Sequence, residues 1–465
     1  MSSTTSGIPR SLVDEFARGF RGEIVQPNHP SYDEQRRVWN GSIDRKPGLI
    51  ARCATVDDVS LAVRNARHLD APVAVRSGGH SFPGLSVCDD GLVIDLGLMK
   101  AIHVDPDART ARVQGGALLG ELDQATQEFG LATPSGIVTH TGVAGLTLGG
   151  GIGWIHRKYG LTIDNLLSVN VVTATGELVR ASESENADLF WGVRGGGGNF
   201  GIVTEFEFQL HPVGPTVLAG PIFWRMADSP DVLRFYREWI TDVPDELMTM
   251  VIHRKAPALP FVPTELHGEP VVAVVCCYAG PIEDGEAVIK PMRSFGTPAF
   301  DLCKPKPYLE HQSMFDPSFK HGWWYYMRAC DVAELTDDVL DITVEHASRI
   351  TSPLTSFPIW QFGGAMSRID DEATVFGSRQ AGHGFNIACA TPTEDGFDDE
   401  RRWARTFWDA LAPYHTSVYV NFLMEEGDER IRQAYGDKKY DRLRALKRQW
   451  DPDNFFRLNQ NIPPT

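Results

Sequence analysis

The sequence has no stretch approaching the roughly 20 consecutive apolar residues that a membrane-spanning helix needs, and its first ten residues lack the apolar core of a secretory leader. It has no basic block. Its 44 Lys and Arg stand against 61 Asp and Glu, a formal charge of −17, which argues against nucleic acid or anionic membrane as partners. Cysteine is sparse and odd in number: Cys53, Cys88, Cys276, Cys277, Cys303, Cys330 and Cys389 form no CxxC pair and no Cys/His cluster with metal-ligand spacing. No metal site is expected, and buried free thiols in a cytoplasmic protein are. Internal repeats and low-complexity linkers are absent as well. At 465 residues, with 42% hydrophobic and 23% charged residues, the composition is that of a soluble enzyme of two or three domains.

Glycine is plentiful and unevenly placed. Arg76-Ser-Gly-Gly-His-Ser follows the apolar run 71–75. Adjacent glycines allow turns closed to other residues, and consecutive amides in such a turn can cradle an anion. By itself this hexapeptide reads more readily as a tight turn with a solvated histidine, because Gly-Gly turns are common. Two further clusters, at 136–153 and 195–201, suggest one extended ligand lying against backbone in several places. The run Gly149-Gly150-Gly151-Ile152-Gly153 lacks the dinucleotide-binding spacing, and no P-loop ends in Lys-Ser/Thr. NAD and ATP are therefore disfavoured.

Periodicity predicts a helical preface over 1–45, with Leu12, Val13, Phe16 and Phe20 at helical spacing. Beyond it come strands at 48–53, before Arg76, at 91–96, 111–114, 167–174 and 201–208. A helix runs from 55 to about 69, capped by Thr55 with Asp58 three residues on. After about 214 the glycine clusters thin out and prolines and aromatics gather, which suits an antiparallel sheet with covering helices. Residues 431–450 read as one amphipathic helix. Asp451-Pro-Asp-Asn reads as a turn, and Glu425-Glu426-Gly-Asp-Glu as a solvated charge run.

The runs VRSGGHS at 75–81, GVAGLTLGGGIG at 142–153, KYGL at 158–161, Asp164-Asn, DLFWGVRGGGGNFGIVT at 188–204 and DPDNFFRLNQNIPP at 451–464 occur together and in order. In them the chain resembles the berberine-bridge-enzyme-like FAD-linked oxidases, within the vanillyl-alcohol-oxidase/PCMH flavoprotein superfamily. The resemblance implies an α+β fold: a PCMH-type FAD-binding domain of two subdomains (1–214), a substrate domain with a large antiparallel sheet covered by helices (215–418), and a C-terminal segment (419–465) returning to the FAD domain. It implies that His80 bonds the flavin 8α-methyl and that Arg76, Ser77, Gly78, Gly79 and Ser81 form the pyrophosphate loop. Gly136, Val138, Thr141, Gly142, Gly145, Gly201 and Val203 match positions along the cofactor, and Asn459 and Asn461 match the point where a C-terminal strand returns to it. The implied activity is that of an FAD-dependent oxidase, taking a hydride from a small organic alcohol, amine or secondary metabolite and passing the electrons to O2 as H2O2.

Three positions depart from the family pattern or bear on it. Val138 stands where many members carry a cysteine that forms a second flavin bond, so a single link through His80 is expected. Phe422 ends a Tyr419-Val-Asn-Phe run where alcohol-oxidising members often place tyrosine. Read as a strand, this run turns Tyr419 to the opposite face. A base must then come from elsewhere, with Tyr325, Tyr326 and His383 as candidates, and neutral amines gain weight as substrates. Gly136 occupies the oxygen-gating position, and a small residue there favours an oxidase. His140 reads either as a flavin or substrate contact or as a structural hydrogen-bonding group. The alternatives are a flavin dehydrogenase with a non-oxygen acceptor and a flavin-carrying protein with little catalysis.

Overall fold

The computed structural model describes residue 8 and residues 10–465 apart from 70, 261 and 378; of 10–12, 15 and 17 it describes the backbone alone. The Leu12 side chain and residues 1–7 and 9 of the expected helical preface therefore lie outside the described residues.

Two larger sheets build the first part of the chain, beside a two-stranded pair of Leu131–Ala132 with His211–Pro212. The first has four strands, in the order Glu23–Val25, Leu49–Arg52, Leu92–Asp95, Val73–Arg76, the last three parallel to one another. Parallel strands need a crossover, and Val56–Ala66 supplies it. Thr55 accepts from the Asp58 amide while the Asp58 carboxylate accepts from the Thr55 amide, a reciprocal cap that satisfies two orphan donors. The second sheet is antiparallel, ordered Ile102–Asp105, Thr110–Gln114, Ile202–Gln209, Leu166–Val172, Leu178–Ser182.

Residues 216–417 form a nine-stranded antiparallel sheet. Side-chain alternation along its strands separates two environments. Val251, Phe357, Ile359, Phe385 and Ile387 pack beneath the helices Ser229–Trp239, Ile282–Arg293, Asp337–Ala347 and Phe397–Leu411. Met250, Ile252 and Trp360 turn the other way, with Met250, Ile252 and Trp360 packing toward Ile152, Trp154 and Tyr419.

The tail departs from the sequence reading. The helix expected over 431–450 is two helices, Asp428–Tyr435 and Asp437–Trp450, broken at Gly436. Ile431, Tyr435, Leu443 and Leu446 share a core with Leu189, Trp191 and Phe200, so the chain's end packs onto its first half. Residues 451–465 contain no strand. The Glu426 side chain is covered rather than solvated, paired with Arg328 at 2.7 Å and with Arg430 at 3.1 Å. No helix among the described residues is long and apolar enough to cross a membrane. All seven cysteines are buried and free.

Candidate active site

A cavity of about 360 Å³ lies between the glycine-rich loops of the first half and the apolar face of the large sheet. All three glycine clusters reach it. Gly79 turns with φ +69°, in the left-handed region, and so redirects the chain straight after the strand ending at Arg76. The loop then presses on the second cluster: a Cβ on Gly78 would run into the Gly142 backbone, and one on Gly142 into Ser77. Backbone therefore touches backbone, as two cradling loops require.

Other glycines face open space. A Cβ at Gly145 or Gly198 would meet nothing within 4 Å, and both line the cavity. So do the buried hydroxyls of Ser77 and Ser86 and the amide oxygens of Asn386 and Asn459, none of which has a hydrogen-bond partner among the described residues. Unsatisfied buried polar atoms cost on the order of 1–3 kcal/mol each, so a cavity lined with several is built for a ligand. Backbone-lined space plus such atoms suits a long cofactor with a phosphate-bearing chain and a ring system. The FAD site expected from the sequence fits these residues.

His80 lines this cavity, half-buried, its ring stacked on Trp39 at 4.8 Å, with Tyr325 stacked on Trp39's ring at 3.8 Å. Its Nε2 pairs with His140 Nδ1 at 2.7 Å, and its Nδ1 has only a long 3.5 Å contact with the Thr141 hydroxyl. Burial, then the neighbouring His140 and His321, push its pKa well below the usual range for histidine, so the ring is neutral. Ser77, Gly78, Gly79, Ser81, Gly136, Val138, Thr141, Gly142, Gly145, Gly201, Val203 and Asn459 line the same cavity; Arg76 and Asn461 do not. The Arg76 guanidinium is turned to the buried Asp95 carboxylate, its register partner on the adjacent strand, so it braces the loop from behind. The space a side chain at 136 would take is occupied by Leu146, so the wall there is closed rather than open.

The three expected bases are not among the lining residues, and strand parity explains two of them. Tyr326 faces the covering helices, its hydroxyl accepting from Arg405 Nε at 3.0 Å. His383 shares the parity of Phe385, on the helix side, and is buried with neither ring nitrogen hydrogen-bonded; burial pushes its pKa down to about 4. Tyr325 has the opposite parity, but its hydroxyl donates to the Lys320 carbonyl at 2.8 Å and its ring backs Trp39.

Tyr419 is the group the sequence reading missed. The strand argument fails because Val420–Phe422 is a 3₁₀ turn, so Tyr419 and Phe422 both line the cavity, rings 4.8 Å apart. The Tyr419 hydroxyl accepts from the Gly151 amide at 2.8 Å and from Asn421 Nδ2 at 2.7 Å. Burial pushes its pKa up to about 12 although both donors oppose that shift. The Tyr-x-Asn spacing was the available signal, since a one-turn helix brings the asparagine back to the phenol. Met250, Ile252, Phe315, Phe319, Trp360 and Phe422 supply the apolar wall. Among the described lining residues there is no Asp, Glu, Lys or Arg.

Comparison with known proteins agrees with this geometry. Residues 47–182 match the family model described as an FAD binding domain, and residues 418–463 the one described as berberine and berberine like. An FAD-linked oxidoreductase of Dictyostelium discoideum is 32% identical over 458 residues, 97% of each chain. The (R)-6-hydroxynicotine oxidase of Paenarthrobacter nicotinovorans is 32% identical over 462 residues, 96% of this chain and 97% of that protein. The crystal structure of 6-hydroxy-D-nicotine oxidase from Arthrobacter nicotinovorans superposes with a TM-score of 0.87 at 30% identity, covering 96% of this chain and 99% of that one. The chain belongs to the berberine-bridge-enzyme-like FAD-linked oxidases, with their PCMH-type α+β fold. It is an FAD-linked oxidoreductase.

Proposed function

We propose that this enzyme is an oxidase that removes a hydride from an uncharged, largely apolar alcohol, amine or secondary metabolite and delivers the electrons to O2 as H2O2. The observation that carries the proposal is the uncharged cavity in which the glycine loops, His80 and Tyr419 meet the aromatic face of the sheet. Bound FAD supplies the two-electron acceptor and its reoxidation by O2. Ser77, Gly78, Gly79, His80, Ser81, Gly136, Val138, Thr141, Gly142, Gly145, Gly201, Val203 and Asn459 would hold it, with Arg76 and Asn461 supporting from outside the wall. His80 is the single covalent tether, because valine at 138 cannot form a thioether. In this proposal residues 1–214 and 419–465 serve the cofactor and 215–418 the substrate.

The chain's own groups then divide the work. Phe422, Trp360 and Phe315 exclude water and orient a planar substrate. The unpartnered Asn386 amide oxygen accepts from a substrate hydroxyl or amine. The Tyr419 oxygen, held by two donors, first gives up its own proton to solvent and in that ionised form takes the substrate's hydroxyl proton as hydride leaves carbon.

The test is aerobic peroxide release across neutral benzylic alcohols and neutral amines, each paired with a carboxylate or quaternary ammonium analogue. Neutral compounds are expected to give stoichiometric peroxide. Charged analogues should fall by about 100-fold in kcat/KM, since burying an unpaired charge costs several kcal/mol. Flavin reduced by a substrate under argon but yielding no peroxide in air would establish a different electron acceptor and overturn the oxidase reading.

A further inference from the structure

Three imidazoles converge where the cavity meets the surface. His140 and His321 ring centroids lie 4.9 Å apart, and those of His80 and His140 4.7 Å apart. His80 and His140 are half-buried and His321 is exposed. The 2.7 Å contact between His80 Nε2 and His140 Nδ1 must carry one proton. If His140 were the donor, His80 would keep its proton on Nδ1 and have no free lone pair facing the cavity. The other tautomer, with His80 Nε2–H donating to His140, leaves Nδ1 with its lone pair and only the long Thr141 contact. Trp39 fixes the ring plane. Asp316, accepting from the Thr139 amide at 2.9 Å and from its hydroxyl at 2.5 Å, places a carboxylate near His140. That charge opposes burial and the His321 ring, which together hold the His140 pKa below the usual range for histidine, so the ring is free to accept a proton.

We propose that His140 is the positioning residue for self-catalysed flavin attachment: it orients His80, accepts its Nε2 proton as Nδ1 bonds the flavin, and passes that proton through His321 to solvent. The step balances with dioxygen as the oxidant. One C–H of the 8α-methyl and one N–H of His80 are lost and one C–N bond forms. Two electrons leave through the flavin and, with two protons, convert O2 to H2O2. This inference rests on the proposed His80 tether.

The experiment follows covalent flavin, not turnover. Protein produced under flavin limitation is mixed with FAD in air, and samples are acid-precipitated over time. For His140→Ala, attachment is expected to slow by about 100-fold, the scale of a lost proton acceptor. FAD should still be carried through desalting, and added imidazole should restore the rate. The exposed His321→Asn change should slow attachment by about 10-fold. Attachment in His140→Ala within threefold of the unmodified rate would overturn the inference. So would a slowed rate that imidazole does not restore, because that outcome marks a purely structural role. Acid-released flavin from the unmodified protein, or acid-stable flavin in His80→Ala, would instead defeat the tether itself.

Discussion

At the scale of single residues, chemistry was legible wherever it depended on residue type and lost wherever it depended on direction. Thr55 and Asp58 declared their reciprocal cap through spacing alone. Tyr419 did not declare itself, because its orientation depends on whether the next three residues extend or turn, and Val420–Phe422 turn. Removing its hydroxyl gives a direct check. Tyr419→Phe should lower kcat on an alcohol by about 100-fold while leaving the flavin spectrum unchanged. With a pKa near 12, kcat/KM of the parent enzyme should climb with pH with no plateau below about 10, and the variant should lose that climb. Asp123 offers a second test. Fully buried, accepting from Gln312 at 2.8 Å and Ser135 at 3.2 Å, its carboxyl is raised by burial from 3.8 to about 7. The folded state therefore holds the proton more tightly than the unfolded chain. Its contribution to stability is fully present below pH 4 and is lost as pH rises to about 7, a change of a few kcal/mol. Asp123→Asn should flatten the dependence of Tm on pH between 4 and 7.

Among elements, strands and capped helices were readable because apolar period and end signals are local. The tail was not: the periodicity of 431–450 runs through Gly436, where the chain breaks. Glu426 likewise sits in a charged sequence run, and only the fold brings Arg328 and Arg430 to it. The short helix Val143–Gly149 carries a prediction in which two effects have opposite sign. Gly145 lies inside it with open cavity beyond its Cα. Gly145→Leu should stabilise the cofactor-free protein by up to about 1 kcal/mol through helix propensity. In the same variant the new side chain fills the proposed cofactor space, so FAD uptake should fall by at least about tenfold. Paired thermal melts and flavin-binding titrations check both signs.

For the whole molecule, the order of motifs was enough to assign the family, while the contacts joining distant segments were invisible in the sequence. The clearest is Arg379, fully buried, whose guanidinium holds both Asp164 oxygens, at 2.6 Å and 3.1 Å. It also reaches Thr374 and the Met366 carbonyl. Asp164 accepts in addition from the Leu161 amide, so the pair ties the chain just after the second glycine-rich segment to the sheet side. Arg379→Met leaves a buried carboxylate without its partner and should cost about 3–5 kcal/mol. Denaturant melts should show the lower midpoint, and a transition split into two steps would show that this pair couples the halves of the molecule.

The absence of charge among the described residues of the cavity wall has a kinetic consequence. The surface carries a net −17, yet a neutral substrate gains nothing from that field and meets no fixed charge on arrival. Raising sodium chloride from 20 to 500 mM shortens the Debye length from about 20 Å to about 4 Å. Steered capture slows steeply over such a range; here kcat/KM for the neutral substrate should stay flat, marking an enzyme that collects its substrate by diffusion and apolar partition alone.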